Sequence, residues 1–372
     1  MNARHSLVAL ATATMVAAAP AAAQGLGTPL PPSTTATNEV GLSGATFLEI
    51  PVGARETALG GAAAASTSGL TALYWNTAAS VDIQHISGAV SKATLFGSSG
   101  LTHTYAAIGF PFGGANLAAL SFSYFTSGDI TRTTESFPEG GDPSAGGTVR
   151  WDAYAVGAHY ARRLTDRLAV GVAGKYITEG VQFAGASWLA TDLSTHFRTG
   201  LFATTIGASV QNLGSNARFK GSQLERNIPS SGDVFPTTRD VQVVFRMQDV
   251  QLPTSVQFAI ATEVMGSESA LLRGLGPDHG VTVNAAVTDG YDRAIQPILG
   301  LEYRFRHVLF GRIGKRFYMP SDGPWSMRYG LAGGFGLAFP VFERRFTFDY
   351  ASSYMSTSAL PATQSFTIQF GY

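Results

Sequence analysis

The sequence predicts an all-β fold, a 14-stranded antiparallel transmembrane β-barrel with an N-terminal plug segment inside. Three observations support this prediction. The chain ends in a strand of alternating apolar and polar residues, its charge is low without long apolar runs after the N-terminus, and its connections alternate between short and long. These features are expected when half of every strand faces lipid and half faces the lumen.

The C-terminal segment 365–372 shows the clearest alternation. Phe366, Ile368, Phe370 and Tyr372 share one parity, while Ser, Thr, Gln and Gly occupy the other. Because side chains of a strand alternate between its faces, this strand has one apolar face and one polar face. With its final aromatic residue it resembles the signal by which outer-membrane barrels reach their insertion machinery. That machinery and the outer-membrane lipids are therefore expected partners.

The composition argues against a nucleic-acid partner and against helical membrane spans. The chain has 25 basic and 25 acidic residues, so no net field attracts nucleic acid. Charged residues make up 13% of the chain, whereas about 25% is usual in soluble domains. After the N-terminal region no apolar run reaches the ~18 residues that a spanning helix needs.

The N-terminus predicts export. Arg4 and His5 precede an apolar run at 6–18 and the alanines at 21–23, which together are typical of a signal peptide over residues 1–23. The run is too short and too rich in alanine for a membrane span. The chain has no cysteine, so it predicts neither a lipoprotein anchor nor disulfides. We expect a location in the bacterial outer membrane.

Alternation and turn residues together predict the strands and their connections. The predicted strands are 84–92, 101–110, 115–126, 149–162, 166–178, 187–198, 201–212, 251–265, 279–289, 294–306, 307–319, 326–339, 342–352 and 363–371. Two odd-numbered connections, 127–148 and 213–250, are long, and most even-numbered ones are tight. This parity is typical of bacterial barrels, which have short periplasmic turns and long outer loops. The exception, 266–278, is expected to hold a small periplasmic helix.

Residues at the strand ends predict two lipid–water interfaces. Arg344 breaks the apolar parity of its strand, and we expect it at an interface, where the cost is small. Aromatic residues form two opposed sets, as in the girdles of membrane barrels. The sets are Phe110, Phe112, Tyr160, Phe339 and Phe342 on one side and Trp151, Tyr176, Trp188, Tyr318 and Trp325 on the other. A secreted soluble β-sandwich, the alternative, explains the leader and the alternation but not these features.

Residues 24–80 are predicted to form a lead-in and a plug, followed by the barrel at 81–372. The stretch 25–40 is rich in Pro, Thr and Gly and favours a flexible lead-in. The next stretch is rich in Gly and Ala, which suits close packing inside a barrel. Its motif residues are Gly53, Ala54, Arg55, Gly60, Gly61, Tyr74, Trp75 and Asn76.

This series of motifs resembles the PorV/PorQ family, which is itself similar to the FadL-type transporters of hydrophobic compounds. The resemblance covers most of residues 45–372, and the N-terminal motif is its most specific part. It implies an outer-membrane barrel with an internal plug. The chain departs from the family after Asn76, where Thr77-Ala78-Ala79 replaces the usual Pro-Ala-Gly, and this puts the local turn in doubt.

Two functions remain open, and catalysis is not expected. The PorV/PorQ resemblance implies type IX secretion, with exported cargo proteins bound at the long outer loops. The alternative is FadL-like passive transport of hydrophobic compounds, through an apolar pocket near the plug and a lateral opening. The candidate lining is Phe47, Leu48, Ile50, Leu59, Leu70 and Leu73, although plain plug packing is the favoured explanation of each. The chain lacks G-x-S-x-G and H-E-x-x-H motifs, so no enzyme, cofactor or metal site is predicted.

Charged residues on the predicted lumen face form a further candidate site. They are Glu302, Arg304, Arg328, Glu343, Arg345 and Asp349. They either line a water path or form an ionic network that joins the wall to the plug through Arg55. We favour the network.

Overall fold

The computed structural model describes residues 43–143, 147–182, 184–228, 241–272, 278–318, 330–341, 344–354 and 360–371. It confirms a closed antiparallel β-barrel of 14 strands. In chain order the strands are β1 (Ser87–Thr94), β2 (Thr102–Phe112), β3 (Asn116–Thr126), β4 (Trp151–Arg163), β5 (Leu168–Val181), β6 (Ala184–Arg198), β7 (Thr204–Gly214), β8 (Ser255–Met265), β9 (His279–Gly290), β10 (Arg293–Phe305), β11 (Leu309–Arg316), β12 (Leu331–Val341), β13 (Arg344–Ser353) and β14 (Thr363–Phe370). The predicted signal peptide lies outside the described residues.

Each strand pairs with its neighbours in sequence, and two pairings complete the cylinder. β1 joins β14 in a register that runs from Gly88 opposite Phe370 to Thr94 opposite Gln364. β7 joins β8 across the longest connection, with Ser255 opposite Gln211. Because every strand has two partners, the sheet has no open edge, as a membrane-spanning sheet requires.

Side-chain alternation makes the wall apolar outside and polar or small inside. On β14, Phe366, Ile368 and Phe370 are 43%, 43% and 50% exposed, whereas Thr367 and Gln369 are each 2% exposed. This is the reverse of a soluble barrel, in which the apolar residues fill the centre. Tyr372, the last residue of the predicted signal, lies outside the described residues.

The two ends of the barrel differ in their connections. At the end we call the loop end, 127–150 and 215–254 join successive strands, and each contains a short antiparallel hairpin. At the opposite turn end, connections such as 113–115 and 164–167 are tight. The described part of 266–278 forms turns, so the expected helix is not found there.

Most described aromatic residues of the predicted girdles face outward. Phe110, Phe112, Tyr160 and Phe339 are exposed near the turn end, and Trp151 and Tyr176 are exposed near the loop end. Tyr318 is partly buried just after β11. Phe342 and Trp325 lie outside the described residues.

The assignment of Trp188 to a girdle was wrong. Its side chain is 1% exposed, because the even-numbered residues of β6 point inward. The indole Nε1 donates to the carbonyl of Val250 at 3.1 Å, and the ring packs edge-on against Phe219. Trp188 therefore belongs to the interior beneath the longest connection.

Arg344 lies at the rim of the barrel, as an interfacial residue should. It is the first residue of β13 and is exposed at the turn end. Its Nη1 donates to the carbonyl of Ile86 at 3.4 Å. The guanidinium can therefore remain hydrated although its parity is apolar.

The segment before β1 runs through the lumen as a chain of short helical turns. They are a 3₁₀ turn at Thr46–Glu49, α1 (Ala54–Ala58), a 3₁₀ turn at Gly69–Thr71, α2 (Ala72–Trp75) and a 3₁₀ helix at Thr77–Asp82. Residues Glu39–Tyr372 form one compact unit. Among the described residues, no helix has the length and hydropathy needed to cross a membrane.

The outward apolar face generates the first prediction. Phe335→Arg, near the middle of β12, should destabilise the lipid-embedded barrel by about 2–4 kcal/mol, whereas Phe339→Arg, nearer the rim, should cost about 0–1 kcal/mol. Urea titration in lipid vesicles measures both. Equal losses at the two positions would contradict the assignment of this face to lipid.

Candidate functional site

Residues 43–83, the described part of the plug together with its exit to β1, enter the lumen at the loop end, where three polar contacts fasten the segment. The Gly44 amide donates to the carbonyl of Gln251 at 2.8 Å. The Ala45 amide donates to Oε1 of the buried Glu179, also at 2.8 Å. Glu49 forms an ion pair with Arg293 at the start of β10. These contacts tie the start of the plug to the longest connection and to two strands of the wall, β5 and β10.

Beneath this attachment lies a cluster of apolar side chains, which we call the loop-end apolar cluster. It contains Ala45, Phe47, Leu48, Ile50, Ala93, Leu95, Ala153, Ala155, Ile177, Ala186, Trp188, Ala190 and Leu252, with Phe96, Leu101, Phe125, Ala217, Phe219 and Val250 packed around it. The plug supplies a turn of this cluster, and the wall and the longest connection supply the rest. An apolar surface therefore lies directly inside the loop end.

The candidate lining residues do not form one pocket. Phe47, Leu48 and Ile50 belong to the loop-end apolar cluster. Leu70 and Leu73 belong to a second cluster at the turn end. Leu59 belongs to neither cluster and is fully buried against Gly300 and Gly314 of the wall. Only the first three thus share a place where an entering molecule would meet them.

In the middle of the lumen, α1 packs against β12, β13 and β14. Gly53 precedes the helix with φ +89°, a conformation that favours glycine. The Ala54 amide donates to Oγ1 of Thr367 at 2.8 Å, and that hydroxyl donates to Oγ of Ser91 at 2.8 Å. The inward residues of the closing strand pair thus satisfy the first turn of the helix.

Beside α1 lies a buried group of four charges, which we call the luminal ionic cluster. Arg55 donates from Nε to Oε2 of Glu302 at 3.0 Å and from Nη2 to Oε1 at 3.1 Å. Arg312 donates to Oε2 of Glu302 and to Oδ1 of Asp349, each at 2.6 Å. The two guanidiniums neutralise the two carboxylates. Because β10, β11 and β13 together supply two carboxylates but one guanidinium, the cluster is neutral only when Arg55 of the plug is in place.

Glu56 adds a buried carboxylate next to this cluster. Its Oε1 accepts from the hydroxyls of Thr67 at 3.0 Å and Thr71 at 3.1 Å, while Oε2 has no hydrogen-bond partner among the described residues. Burial raises the pKa of Glu56, and the nearby Arg55 only partly opposes this. Burial alone would lower the pKa of Arg55, but Glu302 and Glu56 raise it. Arg55 therefore stays charged.

Two luminal glycines let the plug backbone approach the wall closely. A Cβ on Gly207 of β7 would lie 2.1 Å from the carbonyl oxygen of Ala64. A Cβ on Gly314 of β11 would lie 2.1 Å from the carbonyl carbon of Leu59. Contacts this short are impossible, so any side chain there would displace the plug.

The aromatic part of the plug motif makes hydrogen bonds within the plug. The hydroxyl of Tyr74 donates to the carbonyl of Leu48 at 2.8 Å, and Nε1 of Trp75 donates to the carbonyl of Val52 at 2.7 Å. These bonds connect α2 to the 3₁₀ turn at Thr46–Glu49 and to the residues just after that turn. Gly60 and Gly61, with φ +70° and +91°, accept through their carbonyls from Arg316 and Gln257 of the wall.

Asn76 resolves the turn that the missing proline left in doubt. Its Oδ1 accepts from the Ala78 amide at 3.1 Å and caps the following 3₁₀ helix. Its Nδ2 donates to the carbonyls of Ala64 at 2.7 Å and Thr195 at 2.9 Å. One amide side chain thus holds two plug segments and β6 together, so the turn forms without proline.

The plug leaves the lumen at the turn end. The second apolar cluster there joins Leu70, Leu73, Ala78, Val81 and Ile83 to Ala89, Leu117, Ala119, Ala161 and Ala169 of the wall. Asp82 then pairs with Arg163 at 2.5 Å and with Arg198. The exit is therefore closed by packing and by a salt bridge.

The other predicted lumen charges lie apart from the ionic cluster. Arg304 pairs with Glu263 at 2.8 Å near the turn end. Arg345 is partly buried, with Cζ 5.8 Å from the centre of the Phe310 ring. Arg328 and Glu343 lie outside the described residues.

The sequence analysis missed Arg312 and Glu56. Arg312 occupies the inward parity of β11, so the alternation that identified Glu302 was sufficient to find it. Glu56 had no such signal, because short helical turns in a plug impose no simple periodicity.

Little space remains between the plug and the wall. A polar gap lined by Tyr74, Trp75, Gln257, Thr288 and Arg316 has a volume of about 30 Å³, which is room for about one water molecule. No group of histidines and carboxylates suited to a metal exists among the described residues.

Comparison with known proteins supports the fold. No protein-family model and no curated protein sequence matches the chain. The toluene transporter TodX of Pseudomonas putida aligns with 86% of this chain and 98% of its own, at 9% identity and a TM-score of 0.53. A TodX mutant described as a monoaromatic hydrocarbon channel covers 86% and 97%, at 10% identity and a TM-score of 0.50. At such identities the likeness concerns the fold alone.

The fold and the lumen define a 14-stranded β-barrel with an internal plug, and the two solved structures that it resembles are described as a toluene transporter and a monoaromatic hydrocarbon channel. None of the comparisons confirms the PorV/PorQ assignment, which stays a prediction.

The close approach at Gly207 generates a second prediction. Gly207→Val should displace the plug without opening the wall, because its side chain would overlap the backbone of Ala64. Trypsin cleavage after Arg55, whose side chain is only 14% exposed, should then become faster. Gly174→Val is the matched control, since a Cβ there meets nothing within 4 Å. Unchanged cleavage in the Gly207 variant would argue against a tightly seated plug.

The luminal ionic cluster generates a third prediction. Arg312→Met should lower the free energy of unfolding by about 3–5 kcal/mol, because Asp349 loses its ion-pair partner and Glu302 keeps only Arg55. Arg306→Met, which removes an exposed pair with Asp278, should change it by about 1 kcal/mol or less. Chemical denaturation in detergent compares the two. Similar small losses would mean that the cluster contributes little.

Proposed function

We propose that the protein lies in the bacterial outer membrane and lets small hydrophobic molecules pass across it. The observation that carries this proposal is the loop-end apolar cluster, in which Phe47, Trp188 and Phe219 lie just inside the barrel mouth. A water-filled pore would instead present polar residues there. The fold likeness to a toluene transporter supports the same reading.

The membrane placement rests on the outer surface of the barrel. Its apolar residues and aromatic ends match a lipid-facing band. In this placement the loop end faces outward and the turn end faces the periplasm. The predicted signal peptide, the insertion signal at Phe366, Ile368 and Phe370, and the expected insertion machinery agree with this location.

Passage requires part of the plug to move, because the remaining gap holds about one water molecule. The segment 44–50 is the part best suited to move. It reaches the wall through two backbone amides and the Glu49–Arg293 pair, whereas α1 is held by the buried ionic cluster. A hydrophobic molecule that replaces the Phe47 ring in the apolar cluster offsets the loss of that packing.

The lateral opening that the FadL resemblance implies has one suitable place in the wall. The register between β6 and β7 shifts after Thr191, and Asn212 adopts φ +57° opposite it. A bulge of this kind locally disrupts the hydrogen-bond ladder. Asp192 fills it, accepting from the Asn212 amide at 2.8 Å and pairing with Lys175 at 2.6 Å. We place the lateral opening at this bulge.

The secretion role is the second candidate. The hairpins in the two long connections, Ile130–Thr131 with Thr148–Val149 and Glu225–Ile228 with Val241–Val244, would give exported proteins an ordered surface to bind. Comparing surface and secreted proteins with and without the gene distinguishes this candidate. An unchanged set rejects it and leaves the transport proposal standing.

The transport proposal predicts the effect of Phe47→Ala. Removing this buried ring leaves a cavity in the loop-end apolar cluster. Cells that carry the variant should therefore take up radiolabelled toluene several-fold faster than cells with the unchanged protein, and a deletion strain should be slower than both. Phe202→Ala, which removes an exposed ring at the turn end, is the control and should not change uptake.

The transport proposal is wrong if the deletion leaves uptake of toluene and of long-chain fatty acids unchanged and no hydrophobic molecule co-purifies with the barrel. Mass spectrometry of the purified protein detects such molecules directly.

A further inference from the structure

The outer wall carries an apolar groove across strands β4 to β8, which we call the outer groove. Its volume is about 500 Å³ and its lining is almost wholly apolar. The outward residues Tyr160, Leu193 and Phe258 line it together with the smaller Val170, Val172 and Ala208. A groove of this size matches the volume of a small-ligand site.

Strand register explains why the groove exists. One outward row of side chains runs Tyr160, Val172, Leu193, Val210 and Val256. The next row towards the turn end runs Arg162, Val170, Thr195, Ala208 and Phe258. A third row, again bulky, runs Leu168, Phe197, Ile206 and Ile260. At its centre the middle row has only Thr195 and Ala208, with Leu193 on one side and Phe197 and Ile206 on the other, so a channel forms there.

The groove does not lead into the lumen. Its floor includes Ser194, whose hydroxyl accepts from the plug amide of Ala78 at 3.1 Å. The wall and the plug are therefore in contact directly behind it. An occupant of the groove stays on the outside of the barrel, beside the bulge at Asn212, because Leu193 and Val210 form the strand pair next to that bulge.

Two arginines lie on the turn-end side of the groove, outside its lining. Arg162 is directly opposite Val170 in the β4–β5 register. Arg167, one residue before β5, donates to the carbonyl of Thr199 at 3.4 Å. Both are exposed, and neither forms a salt bridge with a carboxylate of the described residues. Their neighbours Arg163 and Arg198 differ, because both pair with Asp82.

Exposed apolar residues in the adjacent turns mark the level of the membrane surface. Leu164 lies in the β4–β5 turn, and Leu201 and Phe202 lie in the β6–β7 turn. Apolar and aromatic side chains at such positions insert at the lipid–water interface. The guanidiniums of Arg162 and Arg167, neither of which pairs with a carboxylate of the described residues, therefore lie at headgroup depth, and the groove extends from this level into the hydrocarbon.

We infer that the outer groove binds one glycerophospholipid from the leaflet at the turn end. One acyl chain lies along the row that includes Val170 and Ala208, and its phosphate contacts Arg162 and Arg167. The two guanidiniums supply the charge complementarity that an apolar groove alone lacks. This inference rests on the proposed membrane placement but not on transport of hydrophobic molecules.

The test uses photo-crosslinking in lipid vesicles. The full-length barrel is incorporated into vesicles that contain phosphatidylglycerol with a diazirine in one acyl chain. After irradiation, peptide mapping should place most of the label on the peptides of β5 to β8. A diacylglycerol with the same diazirine chain serves as the probe without phosphate and should label them less.

Two pairs of variants separate the two halves of the site. Ala208→Trp should reduce labelling several-fold by filling the groove, whereas Ala106→Trp, on the outward face of β2, should not. Arg162→Gln combined with Arg167→Gln should weaken phosphatidylglycerol labelling about tenfold or more, and Arg344→Gln at another part of the rim should leave it unchanged. Each variant is checked for heat-dependent gel mobility.

Label spread evenly around the barrel, or labelling that survives both the Ala208→Trp and the double arginine change, would overturn the inference. Should Ala208→Trp fail to insert, the exposed arginine variants still decide the outcome. Toluene uptake is measured in the same variants. A variant with normal toluene uptake but lost labelling shows that the lipid site is not needed for transport. A variant with normal labelling but lost uptake shows that the transport function can fail while the lipid site is intact.

Discussion

Backbone groups that the plug buries inside the barrel need hydrogen-bond partners, because a buried amide or carbonyl without one is costly. The wall supplies these partners through inward polar side chains. Glu179 accepts from Ala45, Thr367 accepts from Ala54, and Gln369 accepts from Leu70 at 2.9 Å. The inward face of the barrel is thus polar because a peptide chain lies against it. Without the plug, these side chains would face an empty lumen.

The same constraint explains where the plug can move. Withdrawing Arg55 from Glu302 leaves a buried carboxylate with one cation instead of two, which is costly in a poorly hydrated site. The segment around Phe47 also holds an ion pair, Glu49–Arg293, but its side chains are 24% and 21% exposed, so water reaches these charges more readily when the pair breaks. Movement at the loop end therefore costs less than movement near α1. A hydrophobic molecule can exploit this difference without releasing the whole plug.

The barrel was predictable from the sequence because its governing periodicity is local. The alternation in β14 and the parity of the connections gave the fourteen strands, since a lipid-facing wall repeats every two residues. Boundaries were less accurate. β12 begins at Leu331 rather than 326, and the preceding 319–329 lie outside the described residues.

Contacts between plug and wall were harder to predict, because they join residues far apart in sequence. The sequence suggested that Arg55 reaches the lumen charges, and the structure places it on Glu302, but Arg312 was overlooked. Trp188 was misassigned because aromatic residues at strand ends suit either face, and only parity decides between them. Glu56 and the close approach at Gly207 depend on the path of the plug, which no local pattern specifies.

The central claim is that the N-terminal segment is seated inside the lumen, and the absence of native cysteine makes it directly testable. Ala54→Cys combined with Thr367→Cys places two thiols at a contact where an amide and a hydroxyl lie 2.8 Å apart. Because the contact is buried, no reagent has to enter the lumen: oxidation during export should join the two thiols in a disulfide in high yield, as seen by mass spectrometry after proteolysis. Ala54→Cys with Ala106→Cys, on the outer face of β2, should give none. If neither pair reacts in a correctly inserted barrel, the segment does not occupy the lumen and the account fails.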